Sequence, residues 1–301
     1  MKTLKEYADL VNQRLETILP SLPENSFVEG EMPELLVRSM KYSLLAGGKR
    51  LRPSMVLAAI DLLGGDIMRW LDFACAIEMI HSYSLIHDDL PGMDDDTLRR
   101  GRPTNHVVFG VGQAILAGDG LLNCAFEVML RTALAAPCDA QNAMRAIYEV
   151  ATGCGVSGMI AGQVMDLYCE RNMFASEAAL SYIQRDKTAC MFIYPLRAAG
   201  CLCGADERII DALGTYGEAF GRAFQTVDDL LDVVGDAAQM GKTLGKDAEQ
   251  GKLTMVSMHG LDGAREAAAL QTQKALDALS IFDTRADFFR DLIRDMEKRT
   301  H

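Results

Sequence analysis

The chain has 301 residues, 49% of them hydrophobic, and sets 30 Lys and Arg against 42 Asp and Glu, a net charge of −12. So acidic a chain lacks the basic footprint that nucleic acid requires and the surface charge that draws a protein to anionic membrane, so neither is expected as a partner. The eight cysteines (Cys75, Cys124, Cys138, Cys154, Cys169, Cys190, Cys201 and Cys203) form no Cys-x-x-Cys pair, and His is scarce, which excludes zinc-site spacing and reads as buried, reduced thiols.

Residues 1–20 carry charges throughout rather than the apolar run of a leader peptide. The longest apolar stretches read as shorter than the ~20 residues that span a bilayer. The expectation is a cytoplasmic chain with no stable membrane anchor. Along the chain, Leu4, Tyr7, Ala8, Val11, Leu15, Ile18 and Leu19 recur at i, i+3, i+4 and i+7. Ala74, Ile77, Ile80 and Leu85 do the same, as do Ile209, Leu213, Tyr216, Phe220, Phe224 and Val227. These are helical periods, and the alternating β-branched runs of hairpins are missing. Gly64-Gly65-Asp66 and Ala136-Pro137-Cys138-Asp139 read as interhelical loops, and no Pro interrupts the segments on either side of Pro195. With no linker, repeat or composition shift, the spacing predicts one all-α domain over 1–301.

Chemistry enters first at Gly47-Gly48-Lys49-Arg50-Leu51-Arg52-Pro53. Its glycines let backbone approach an anion, and Lys49 and Arg52 stand at i, i+3. Next, His87-Asp88-Asp89-Leu90-Pro91-Gly92-Met93-Asp94-Asp95-Asp96 closes an apolar helix. Pro91-Gly92 breaks that helix, so Asp94 can fold back toward Asp88. Clustered carboxylates repel unless a cation sits among them, and hard oxygen donors of this kind suit Mg²⁺, which bridges carboxylates to phosphates. Arg99, Arg100 and Arg102 follow directly. A second acidic set, in Phe224-Gln225-Thr226-Val227-Asp228-Asp229-Leu230-Leu231-Asp232, puts Gln225, Asp228 and Asp232 on one helix face. Gly241-Lys242 and Gly251-Lys252 come after it. Any one of these segments could be an ordinary solvated surface. Together they describe a polyanion held by metals on one side and by Arg and Lys on the other, with a pair of metal sites facing one cavity.

On these residues the chain resembles the trans-polyprenyl diphosphate synthases, most closely the bacterial farnesyl diphosphate synthases. The resemblance rests on LLAGGKRLRP, IHSYSLIHDDLPGMDDDTLRRGRPTNH, GMIAGQVMDL, Lys187-Thr188, FQTVDDLLDVVGD and GKTLGKDAEQGKLT, and runs from about Leu35 to the last helix. It implies an isoprenoid-synthase-type helical bundle around a central cavity, a homodimer, and three Mg²⁺ per active site. By this resemblance Asp88, Asp94, Asp228 and Asp232 match metal ligands. Arg99, Lys187, Lys242 and Lys252 match cations around an allylic diphosphate, and Gly48, Lys49, Arg52, His81 and Arg100 match the pocket for isopentenyl diphosphate. Thr188 and Gln225 match groups whose oxygens face a developing allylic cation. The catalytic set so implied is Asp88, Asp94, Arg99, Lys187, Thr188, Gln225, Asp228 and Lys242, with Gln163 and Asp166 as a supporting polar pair and Lys246 without a role.

The implied reaction is ionisation of the allylic C–O bond, attack by the double bond of isopentenyl diphosphate, and loss of a proton to the departed diphosphate. A class I terpene cyclase would share the fold, but the Asp228/Asp232 motif and the Lys49/Arg52/His81 pocket argue against it. Product length is expected to depend on the helix ending at Asp88. Tyr83 lies five residues before Asp88, about 7.5 Å along the axis, and Ser84 lies more directly beneath it. A large aromatic at Tyr83 goes, in that family, with a C15 product, and smaller residues with C20. Farnesyl diphosphate is therefore the expected product and geranylgeranyl diphosphate the alternative.

Overall fold

A computed structural model describes residues 1–19, 32–234 and 251–298. The all-α expectation holds: nearly every described residue outside the turns is helical, and strand is confined to two dipeptides. By packing, the chain divides into two compact units. One comprises Lys2–Leu57 and Asp66–Ala140, the other Ala58–Gly65 and Gln141–His301, the division falling within helix α3, Leu51–Leu62.

In the N-terminal unit, α1 (Leu4–Ile18) opens on a capping box. The Thr3 hydroxyl accepts the Glu6 N–H at 3.3 Å, and the Glu6 carboxylate accepts the Thr3 N–H at 2.7 Å. Its buried stripe is Tyr7, Val11, Leu15 and Ile18, the one the periodicity marks. Helix α2 (Met32–Leu44) precedes the Gly47–Arg50 turn, and α4 (Leu71–Asp88) follows α3. Helix α4 is apolar around most of its circumference and is accordingly buried on most sides, which is why periodicity alone gives it no facing direction. After it come a two-residue hairpin, β1 (Leu98–Arg99) and β2 (Arg102–Pro103), then α5 (Asn105–Phe109) and α6 (Val111–Leu134).

The hairpin is absent from the sequence reading. Its two loop residues, Arg100 (φ 54°) and Gly101 (φ 73°), both take positive φ, as a two-residue turn matched to strand twist requires. Helix α6 also corrects the reading of apolar run lengths, because by length and composition it could cross a membrane. It packs along α4 and α2 through Ala114, Ala117, Gly118, Leu121 and Ala125.

In the C-terminal unit, α7 (Ala140–Cys154) and α8 (Met159–Asn172) lead to α9 (Glu177–Tyr182). A π-helical segment, Ile183–Ala189, passes directly into α10 (Cys190–Leu202). Pro195 lies inside α10 instead of bounding it. Helix α11 (Glu207–Val234) carries the second acidic set, and α12 (Met255–Ala278, kinked at Gly260) and α13 (Asp287–Glu297) pack against it. Tyr216, Phe220 and Phe289 form its aromatic core, with the Tyr216 hydroxyl donating to Phe289 O at 2.8 Å. Six cysteines are buried as expected, but Cys203 is half-buried and Cys138 is exposed. Burial pushes the thiols of Cys154 and Cys203 up to about 11, leaving them protonated and unreactive near neutrality.

Candidate active site

The acidic turn of the N-terminal unit forms as its letters suggest. The residue before a proline avoids the helical region, so α4 stops ahead of Pro91, and Gly92 (φ 97°) reverses the chain. Asp94 N–H then donates to Asp88 O at 2.9 Å, which places both carboxylates on one turn. Asp89 is turned inward and is 3% exposed. It accepts from Arg99 Nε at 3.0 Å, and Asp96 accepts from Arg99 Nη2 at 3.3 Å. Burial pushes the Asp89 carboxyl up, while Arg99 opposes the shift. Burial alone would lower the Arg99 guanidinium, but the bond to Asp89 and the charges of Asp89, Asp88 and Asp94 raise it. Arg99 thus sits in the field of the whole acidic turn.

The basic residues converge in the same unit. Arg100 donates to Gly47 O, and its guanidinium lies against Gly48. A Cβ on Gly48 would come within 2.7 Å of that guanidinium, and φ there is 119°, so both space and backbone require glycine. His81, half-buried on α4, has its pKa held well below the ordinary value by burial and then by Arg52, Arg100, Arg99 and Arg50. It is a neutral imidazole among cations, and therefore a hydrogen-bonding group rather than a charge. Lys49 is exposed and Arg52 half-buried beside it in sequence.

Two residues to which the sequence reading gave no role hold this arrangement. Arg50, buried and at φ 48°, donates to Glu78 Oε1 (2.7 Å), Leu44 O (2.8 Å) and Asn12 Oδ1 (2.8 Å). Asn105 donates to Ser39 O and Ser43 Oγ, each at 2.9 Å, and accepts from Ser39 Oγ at 2.9 Å, fixing the chain after the hairpin to α2. Tyr83 is buried and meets the His87 ring edge-on at 5.7 Å, while Ser84 Oγ donates to His81 O at 2.9 Å. His87 Nε2 lies 3.1 Å from Ile115 O and against Gly118, so the Tyr83/His87 side of α4 faces α6.

In the C-terminal unit, Lys187 and Thr188 stand on the π segment. That segment is approached closely from two helices, since neither Gly162 of α8 nor Gly221 of α11 has room for a Cβ against it. The approach of α11 brings Gln225 to Thr188, whose hydroxyl donates to Gln225 Oε1 at 2.7 Å. Asp166 of α8, one of the two supporting polar residues, forms an ion pair with Lys187. Asp228 is half-buried and Asp232 is 3% exposed on the same face of α11 as Gln225. Lys252 is half-buried, two residues before the Thr254 cap of α12. Lys242 and Lys246 lie outside the described residues.

These donors suit Mg²⁺. Asp88 with Asp94, and Asp228 with Asp232, offer hard oxygens in pairs. Among the described residues no three His, Cys, Asp or Glu side chains converge into a ready-made cage. Sites built from one or two carboxylates, completed by water and substrate phosphate, are the habit of Mg²⁺ rather than of Ca²⁺ or zinc.

A family model described as polyprenyl synthetase matches residues 33–285. Geranylgeranyl pyrophosphate synthase 9, chloroplastic, of Arabidopsis thaliana is 42% identical over 281 residues, 92% of this chain and 74% of that protein. A dimethylallyltranstransferase of Fischerella ambigua is 39% identical over 293 residues, 97% of this chain and 84% of its own length. The apo crystal structure of an FPP/GFPP synthase from Zymomonas mobilis superposes with a TM-score of 0.85 at 34% identity, covering 97% of both chains.

Proposed function

The chain belongs to the polyprenyl synthetase family and has its all-α isoprenoid-synthase fold, and from that premise we propose that this trans-prenyltransferase is a Mg²⁺-dependent farnesyl diphosphate synthase. It would condense isopentenyl diphosphate with dimethylallyl and then geranyl diphosphate. Arg99, Lys187 and Lys252 would hold the allylic diphosphate, with Lys242 added from outside the described residues. Gly48, Lys49, Arg52, Arg100 and neutral His81 would hold isopentenyl diphosphate. Bound Mg²⁺, held by Asp88, Asp94, Asp228 and Asp232, would neutralise the leaving diphosphate. As the allylic C–O bond breaks, the oxygens of Thr188 and Gln225 face the carbon that becomes positive. The new C–C bond forms from the double bond of isopentenyl diphosphate, and the proton released passes to the departed diphosphate. The protein's share is preorganised charge and exclusion of water, without a covalent nucleophile.

The observation that carries the C15 reading is Tyr83, five residues before Asp88, buried on α4 and set edge-on to His87. A phenol there would close the space along the helix that a longer prenyl chain needs. The C20 alternative draws on the names of relatives such as the Arabidopsis geranylgeranyl synthase. Incubation with isopentenyl diphosphate, dimethylallyl diphosphate and Mg²⁺, followed by chain-length analysis, should give C15 for the native protein and C20 or longer for Tyr83→Ala. A native product that is mainly C20, or a Tyr83→Ala product that is unchanged, moves the floor away from Tyr83.

We further propose a homodimer formed through α5 and α6. Val108, Val111, Ile115, Leu116, Leu130 and Leu134 are all exposed on these helices, more apolar surface than scattered single residues would leave. Light scattering should give a dimer for the native protein and a monomer for Ile115→Lys combined with Leu116→Lys. A native monomer would remove this assignment.

A further inference from the structure

Asp229 lies between Asp228 and Asp232 in sequence, on the other side of Gln225 from Asp228. It is 3% exposed, and its two oxygens have different partners. Oδ1 accepts from Gln225 Nε2 at 2.9 Å, and Oδ2 accepts from the backbone N–H of Met255, the first residue of α12, at 2.9 Å. The other end of the Gln225 amide is the oxygen to which Thr188 donates. Met255 N–H, Asp229, Gln225 and Thr188 therefore form one continuous chain of hydrogen bonds.

The direction of that chain follows from what each group can do. A carboxylate only accepts, so it forces the amide nitrogen of Gln225 toward itself and the amide oxygen toward Thr188. The Thr188 hydrogen is then occupied by Gln225, and its lone pairs face outward. If the amide were reversed, its NH₂ would donate to Thr188 Oγ and the hydroxyl hydrogen would point outward instead. The same two side chains would then present a positive edge where they now present oxygen. Asp229 also completes the N-terminus of α12, whose Thr254/Ser257 capping box sits two residues after Lys252.

We propose that Asp229 is a positioning residue: it sets the polarity of the Thr188–Gln225 pair toward the developing cation and, through its second oxygen, fixes the start of α12 and with it the Lys252 turn. This rests on the prenyl-transfer reading above. It assigns to the middle Asp of the second acidic set a role other than holding metal.

Asp229→Asn is the informative change. Asparagine has one accepting oxygen for two donors, and the conflict is relieved when the Gln225 amide turns over to accept from Asn Nδ2. Met255 then keeps its acceptor, but Thr188 is reversed. Adding Gln225→Glu restores an acceptor to Thr188, because a carboxylate at 225 accepts from Asn Nδ2 with one oxygen and from the Thr188 hydroxyl with the other. The four proteins of this cycle would be assayed for kcat, for KM of both substrates and for half-saturating Mg²⁺. Hydrogen exchange would be followed over residues 253–259.

Asp229→Asn is expected to lower kcat about 10- to 100-fold, with both KM values and the Mg²⁺ half-saturation within about 3-fold of native and slow exchange at Met255 retained. That loss lies at or below the roughly 10²–10³ cost of removing one preorganised donor, because the pair is reversed rather than removed. The double variant should recover at least about 10-fold over Asp229→Asn, and it carries the test if the single variant is insoluble. A Mg²⁺ half-saturation raised about 10-fold or more without rescue would make Asp229 a metal ligand and overturn the proposal, as would a kcat within about 2-fold of native. A native protein that transfers no isopentenyl unit would instead overturn the assigned reaction. Asp229→Ala, expected to speed exchange at Met255, would then still decide whether the carboxylate anchors α12.

Discussion

Alanine at Asp88 or at Asp228 is expected to abolish measurable turnover, a loss well beyond the roughly 10²–10³ that follows removal of one transition-state hydrogen-bond donor, while leaving the fold as stable as before or slightly more so. The stability half of this expectation comes from where the two residues sit. Asp88 closes α4 at its C-terminal end, where the helix dipole already disfavours negative charge, and Asp94 is folded back beside it. Asp228 is one turn from Asp232 near the C-terminal end of α11, and like charges at i, i+4 destabilise a helix by a few tenths of a kcal/mol. Both carboxylates therefore sit where the helix that carries them disfavours negative charge. The bond that shapes the first turn, Asp94 N–H to Asp88 O, is between main-chain atoms and survives the substitution.

Loss of activity without loss of fold would identify these carboxylates as groups held in an unfavourable setting for the sake of a cation. The measurements are turnover with Mg²⁺ titrated to saturation, thermal unfolding of each variant, and chelator treatment of the native enzyme with Mg²⁺ added back. Near-native turnover in either variant, or a clear fall in thermal stability, would remove that role.

The acidic turn was legible because it is local. A helix, an X-Pro break, a glycine with positive φ and carboxylates on either side follow one another within ten residues, and each has its own rule. The aromatic stripe of α11 and the buried stripe of α1 were legible for the same reason, since one period reports one face. What stayed hidden depends on which way a side chain turns when several similar ones are adjacent. Lys49, Arg50 and Arg52 look alike in sequence. Only the left-handed backbone at Arg50 sends that guanidinium inward, to Glu78 on a helix with no polar face to mark it. Asp228, Asp229 and Asp232 also read as one acidic set, and the middle member departs because Met255, 26 positions on, supplies a backbone N–H for it to accept. The π segment has no composition signature. It is visible only through the helices that crowd Lys187 and Ala189, which is why the ion pair between Asp166 and Lys187 has no counterpart in the sequence pattern.

The same inward turn of Arg50 sets the largest expected loss of stability. Its side chain is 1% exposed and that of Glu78 3%, with nitrogen and oxygen 2.7 Å apart. Removing one partner of such a pair leaves the other charge buried without compensation, at a cost of roughly 3–5 kcal/mol, whereas removing both together costs far less. One guanidinium here also meets Asn12 of α1 and the carbonyl of Leu44 at the end of α2, so it ties three helices and the Gly47–Arg52 turn into one arrangement. Glu78→Ala should therefore lose about 3–5 kcal/mol in equilibrium denaturation. Glu78→Gln, which keeps an acceptor for Arg50, should lose less. Glu78→Leu with Arg50→Met should fall below Glu78→Ala alone, because neither charge is left behind, although the Leu44 carbonyl still loses its donor. Because the pair seats the turn that carries Gly48, Lys49 and Arg52, Glu78→Gln should raise KM for isopentenyl diphosphate more than KM for the allylic substrate. If Glu78→Ala costs less than about 1 kcal/mol, or if the double variant costs the sum of the two single ones, Arg50 and Glu78 are two independent surface-like charges, and the turn is held by something else.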